Sequence, residues 1–103
     1  VEDITPDGLL PEAYALSQNY PNPFNPTTQI ELSLPTASHV KLEVFNVLGR
    51  KVRRLLDARL PAGMHRIEFD GRSDAGHPVA SGVYFYRVKA NDFVVSRKML
   101  LIK

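Results

Sequence analysis

The side chains able to do chemistry are few and scattered. His39, His65 and His77 are the only imidazoles. None stands in an H-x-x-H or H-E-x-x-H spacing, so no pair would share one face of an element as zinc ligation requires. The chain has no cysteine, which excludes thiolate ligation and disulfides alike. Serine, histidine and aspartate are present, but no G-x-S-x-G elbow presents a nucleophile. No nucleophile, base and orienter occur at compatible spacing, so neither an enzyme nor a cofactor is expected. Hard oxygen donors crowd in one place, Asp70-Gly71-Arg72-Ser73-Asp74. Asp70 and Asp74, with Ser73, are the candidates for holding Ca²⁺. The loop lacks the D-x-[DN]-x-[DN]-G spacing and a distal Glu, so a six-oxygen shell would need ligands from elsewhere. The alternative is that these side chains hydrogen-bond their own turn, as Asx turns do.

Arg50, Lys51, Arg53, Arg54 and Arg59 form the one basic cluster. It could attract phosphate-rich surfaces, including anionic glycolipid head groups. It could equally be a solvated strand face that discourages edge-to-edge pairing. Stacking sites for nucleic acid interleave aromatics with the cations, and this run has none. The net charge of +2 adds no argument for nucleic acid. A chain of 103 residues, 44% of them hydrophobic, suffices for one small domain with one core. No apolar run approaches the ~20 residues that span a bilayer, so no membrane insertion is expected. The start, Val1 to Thr5, has neither the basic nor the apolar region of a signal peptide and suggests a segment of a longer protein.

The elements that must position these groups are strands. Residues 1 to 13 are acidic and turn-rich and read as linker, with Leu9 and Leu10 resting on the surface. Tyr14 to Gln18 reads as a short edge strand. Ile30, Leu32 and Leu34 then alternate with Gln29, Glu31 and Ser33, the period of a half-buried strand. Val40, Leu42 and Val44 alternate with Lys41 and Glu43. Asn46 to Gly49 reads as a turn, with Gly49 free to take positive φ. Lys51 to Leu56 is a strand of ambiguous phase, because Leu55 and Leu56 are adjacent; a short helix is the alternative. Ile67 and Phe69 alternate with Arg66 and Glu68. Val83 to Ala90 is rich in aromatic and β-branched residues, with Tyr84, Tyr86 and Val88 expected inside. Asn91-Asp92 is a turn, and Phe93 to Lys103 completes a hairpin. Seven strands at intervals of roughly 8 to 12 residues predict an all-β, antiparallel, immunoglobulin-like β-sandwich over residues 14–103.

One stretch fits no strand. Asn19-Tyr20-Pro21-Asn22-Pro23-Phe24-Asn25-Pro26 holds three prolines in six residues. Proline fixes φ and lacks a donor, and it pushes the preceding residue towards extended conformations. The octet is therefore expected as a stiff, ordered clasp, with Asn side chains satisfying open backbone groups. Tyr20 and Phe24 are expected to pack against the domain. If Tyr20, Phe24 and Phe85 instead lay exposed in a row on one sheet, an accessory module that binds carbohydrate or protein would be favoured.

Five motifs carry a resemblance. The run Leu16 to Ile30, containing N-Y-P-N-P-F-N-P, is similar to the opening of the type A C-terminal sorting domains of the type IX secretion system. Val44-Phe45-Asn46-Val47-Leu48-Gly49-Arg50-Lys51-Val52 resembles the family's V-Y-N-x-L-G-x-x-V. Ala62-Gly63-Met64-His65 with Phe69-Asp70-Gly71-Arg72 is similar to its A-G-x-H and W-D-G-R, with Phe69 where Trp is common. Ser81 to Tyr86 resembles its S-G-x-Y-x-Y, and Lys98 to Lys103 its closing apolar strand. Residues 69 to 86 also resemble the immunoglobulin-like domain of the flagellar hook-capping protein. The first resemblance implies a non-enzymatic sorting signal, secreted or displayed on the cell surface by way of the periplasm. Its partners would be an outer-membrane translocon, a sortase-like peptidase and an upstream passenger, and the domain would be a monomer. The residues that the resemblance implies shape the recognised surface are Pro21, Asn22, Pro23, Phe24, Asn25, Pro26, Gly49, Gly82, Tyr84, Lys98 and Lys103; the alternatives are turn geometry alone for the glycines, core packing for Tyr84, and exposed edge-strand charge for the two lysines. The second resemblance implies a structural cap.

Overall fold

A computed structural model describes all 103 residues. Eight strands form: β1 (Glu2–Asp3), β2 (Ala15–Leu16), β3 (Thr28–Leu34), β4 (Ser38–Phe45), β5 (Lys51–Leu60), β6 (Gly63–Phe69), β7 (Gly82–Ala90) and β8 (Phe93–Leu101). They make two four-stranded sheets, in the orders β1-β6-β3-β2 and β5-β4-β7-β8, with every strand pair antiparallel. The sheets face each other across a single apolar core, so the chain is an all-β sandwich. Alternation dictates which side chains enter it. One sheet contributes Ile30, Leu32, Leu34, Ile67 and Phe69; the other contributes Val40, Leu42, Val44, Tyr84, Tyr86, Val88, Met99 and Leu101.

The eighth strand lies within the stretch expected as linker. Glu2 and Asp3 pair with Arg66 and His65 of β6, and the Ile4 N–H donates to the Met64 carbonyl. Too short and polar to have a readable period, β1 forms because β6 offers it an open edge. The Thr5 hydroxyl fills the space beside Gly63, where a Cβ would overlap it. Leu9 and Leu10 stay exposed. The last strand ends at Leu101 rather than Lys103.

The ambiguous phase of β5 has a structural cause. Leu42 pairs with Leu56 and Glu43 with Arg54, so Leu55 is an extra residue in a β-bulge. A second shift, between Val44 and Phe45, leaves Val52 unpaired in the same way. Two bulges turn the strand's pattern twice, which is why no single period of two fits it. The strand continues to Leu60 and no helix forms.

The strand β4 is central to its sheet, pairing with β5 and β7, and has Val40, Leu42 and Val44 fully buried. Truncating Leu42 to alanine is expected to destabilise the domain by about 2–5 kcal/mol through lost burial and the cavity left behind. Val94→Ala, at a side chain 54% exposed, should change stability by less than about 0.5 kcal/mol. Urea unfolding of the two variants checks this.

Candidate functional site

The proline octet is ordered and binds both sheets. Towards β3, the backbone of Tyr20 exchanges two hydrogen bonds of 2.9 Å with Gln29. Towards β8, the Phe24 N–H donates to the Leu100 carbonyl (2.9 Å) and the Ile102 N–H donates to the Phe24 carbonyl (3.0 Å). The Asn22 Oδ1 accepts from the Leu100 N–H at 3.0 Å. The prolines have no N–H to offer, so the ties fall on the residues between them. The bonds before Pro21, Pro23 and Pro26 are cis.

Beneath the octet lies a buried polar hub. Asn19 is 2% exposed, and its N–H donates to the Tyr86 hydroxyl at 2.9 Å. That hydroxyl donates in turn to the Ser17 carbonyl at 2.7 Å. The Asn19 amide donates to Thr28 Oγ1 (2.9 Å) and the Pro21 carbonyl (3.2 Å), and Thr28 donates to the same carbonyl (2.8 Å). These groups are out of water, and each finds a partner, as burial demands. Phe24 closes the end of the core, its ring 5.9 Å from that of Phe69. Tyr20, expected to pack, is 81% exposed, because its backbone is spent on Gln29 and its side chain falls on the outer side of that pair. The row of Tyr20, Phe24 and Phe85 therefore does not exist, since Phe24 is inside.

The other residues implied in recognition divide by exposure. Pro21, Asn22, Pro23, Asn25, Pro26, Gly49, Lys98 and Lys103 are exposed. Gly82 is half-buried at the start of β7, paired with Leu101. Tyr84 is buried, and its hydroxyl donates to the Ala80 carbonyl at 2.6 Å. Phe24 and Tyr84 thus lie beneath the surface. Gly49 has φ of 78° in the Asn46–Arg50 turn, where a side chain would be strained. Lys98 is joined to the residue just before the clasp through its carbonyl, which accepts from Gln18 Nε2 at 2.7 Å. The Lys103 N–H donates to Ser81 Oγ at 3.1 Å.

At the calcium candidate an arginine lies beside the two carboxylates. Asp70 Oδ1 accepts from Arg53 Nη1 at 3.1 Å and from the Arg72 N–H at 3.1 Å. Asp74 Oδ1 accepts from the Arg54 N–H at 2.9 Å, with Arg53 Nε at 3.9 Å. A guanidinium stands between the two carboxylates, and one oxygen of each is spent on the backbone. No group of three acidic or histidine side chains comes together that could hold a metal. The histidines stay apart: His39 bonds Asp57 on the surface, and the buried His65 meets the Pro61 carbonyl.

Glu43 takes the outward side of the alternation but is not solvated. It points away from the core yet is buried under Lys51, Arg54 and Arg87, with oxygens 3.1, 3.5 and 3.7 Å from their nitrogens. Burial works against its charge, but the Lys51 hydrogen bond and charge, with Lys41 and Arg54, hold its carboxyl below the usual range.

Sequence reasoning found the octet but missed the hub. Its one available signal is Thr28, a polar residue in phase with Ile30, Leu32 and Leu34, and hence pointed inwards. Tyr86→Phe leaves the Asn19 N–H without its acceptor and the Ser17 carbonyl without its donor, at an expected cost of about 1–3 kcal/mol. Burial pushes the Tyr86 phenol up to about 12. The neutral phenol is thus favoured by folding, so this stabilisation is intact below about pH 10 and is lost as pH rises through 12. Urea titrations between pH 8 and 12 should show the wild type converging on Y86F at the alkaline end; a pH-independent difference would refute the assignment.

The sequence profile of the FlgD Ig-like domain matches residues 19–92. No curated protein matches the sequence. Among solved structures, dimeric latent PorU from Porphyromonas gingivalis superposes with a TM-score of 0.70 at 21% identity, over 93% of this chain and 10% of that one. PorZ from P. gingivalis, described as an essential bacterial surface component of the type-IX secretion system, gives 0.55 at 17% identity, over 89% of this chain and 12% of its own. FlgD from P. aeruginosa gives 0.57 at 23% identity, over 72% of this chain and 58% of its own. The chain therefore spans about a tenth of the two P. gingivalis proteins and a little over half of FlgD. At these identities the likeness is one of fold alone, and the FlgD match marks that fold as immunoglobulin-like. The profile covers well over half of the chain, and the chain therefore belongs to the FlgD Ig-like domain family.

Proposed function

We propose that this domain is a non-enzymatic sorting signal, read by an outer-membrane type IX secretion translocon. It would direct a covalently joined passenger to the cell surface or the medium, with a sortase-like peptidase acting on the joined chain. The observation that carries this reading is the junction of clasp and closing strand. Leu100 and Ile102 bond to Asn22 and Phe24, so the two motifs at opposite ends of the sorting-domain resemblance form one continuous surface. That surface exposes Pro21, Asn22, Pro23, Asn25, Lys98 and Lys103. Its shape is fixed by backbone hydrogen bonds and a buried hub, so it would be the same whatever the passenger. The fold likeness to PorZ supports the setting.

A structural role like that of a hook-cap domain is the second reading, favoured by the family profile over residues 19–92. It would require self-assembly or rigid incorporation into a larger body.

Fusing residues 1–103 to a neutral periplasmic reporter in a type IX-competent cell is expected to carry the reporter to the surface or the medium. Retention in the periplasm would refute the sorting role. Sedimentation of the purified domain is expected to give a monomer; rings or filaments would move the assignment to the structural role.

A further inference from the structure

Val47 and Leu48 occupy the tip of the β4–β5 turn with 67% and 74% of their surface in water. The turn is firmly built. Asn46 Oδ1 accepts from the Leu48 and Arg50 N–H groups at 3.0 Å each, and the Asn46 and Gly49 N–H groups donate to the Arg50 and Asn46 carbonyls. Those bonds use Asn46, Gly49 and the backbone. Nothing in them calls for aliphatic side chains at the two tip positions, where polar ones would leave less apolar surface exposed.

Beside the tip, the outer face of the β5-β4-β7-β8 sheet is cationic. The row of paired residues adjoining the turn runs Lys51, Phe45, Phe85 and Lys98 across the four strands. The row behind it runs Arg54, Glu43, Arg87 and Ser96. Glu43 gathers Lys51, Arg54 and Arg87, and the Arg87 guanidinium lies 4.8 Å from the centre of the Phe45 ring. With Arg50 and Lys98, five exposed cations stand against Glu43 and Asp57, the latter 3.6 Å from Arg54. Three of them are held in place rather than waving in solvent.

We propose that this end of the sheet docks peripherally on an anionic phospholipid bilayer. Val47 and Leu48 enter the interfacial layer, and Arg50, Lys51, Arg54, Arg87 and Lys98 face the headgroup phosphates. Two separate features select this partner. The cations call for a dense anionic surface. The convex aliphatic tip calls for an apolar phase immediately behind that surface, which a bilayer supplies and a soluble polyanion does not. Phe85, 38% exposed in the row between them, suits the headgroup boundary. This is attachment at the interface and not a crossing of the membrane. It stands whether or not the domain acts as a sorting signal.

The test is flotation of the full chain with vesicles of phosphatidylcholine containing about a third phosphatidylglycerol. Binding is expected, to fall steeply on raising salt and to vanish on pure phosphatidylcholine. Val47→Ser combined with Leu48→Ser should lower the partition coefficient about tenfold, while Val94→Ser, on the same face but at the far end of the β7–β8 pair, should not change it. The chain has no tryptophan, so Leu48→Trp gives a single fluorophore whose emission should shift to the blue on anionic vesicles. Absence of binding, an unshifted emission, or binding indifferent to the double serine variant and matched by heparin would each overturn the proposal. So would dimerisation through the tip in the absence of lipid.

Discussion

The buried hydrogen bond from the Asn19 backbone N–H to the Tyr86 hydroxyl is the constraint on which the proline clasp depends. Tyr86 comes from the centre of one sheet. Its hydroxyl is the only polar atom it carries across the apolar interior, and burial there is tolerable only because Asn19 and Ser17 satisfy it. That arrangement fixes the chain just before the prolines. Thr28 then fixes the chain just after them by bonding the Pro21 carbonyl. Between these anchors the octet has little freedom, and Phe24 drops into the end of the core beside Phe69.

The clasp also settles an edge. β8 is the last strand of its sheet and would leave its outer backbone groups open. Phe24 and Asn22 take those of Leu100 and Ile102, and Gln18 takes the Lys98 carbonyl. Arg97 reaches from the same strand to the Leu16 carbonyl at 2.7 Å. A proline-rich segment suits this task because it pairs through a few residues only and cannot itself template a further strand. The remaining edge, towards Val94, stays open and carries charged neighbours.

Electrostatics divide the molecule in a way its modest net charge conceals. On the Asp70–Asp74 side, Arg53 is matched by two carboxylates and the loop is internally satisfied. On the outer sheet face, one buried Glu43 organises three cations and leaves an excess. The same run of basic residues, Arg50 to Arg54, thus feeds two environments: strand alternation sends Arg53 and Arg54 to opposite faces, and the bulge at Val52 brings Lys51 to the same face as Arg54.

Strand periodicity, turn residues and the proline octet were legible in the sequence because each is a local property. Alternation at Ile30–Leu34, Val40–Val44 and Tyr84–Val88 needs only the pleat to become a core face. The positive φ of Gly49 and Asn91 follows from residue type in a turn. What the tertiary structure decided rests on partners distant in the chain. Asn19 meets Tyr86 across 67 positions, and Arg53 meets Asp70 across 17. β1 exists only because β6 has a free edge, and Glu43 is buried because bulged β5 brings Lys51 and Arg54 over it and β7 adds Arg87. A side chain's period says which face it takes; what covers that face depends on strand order and register, which no local pattern encodes.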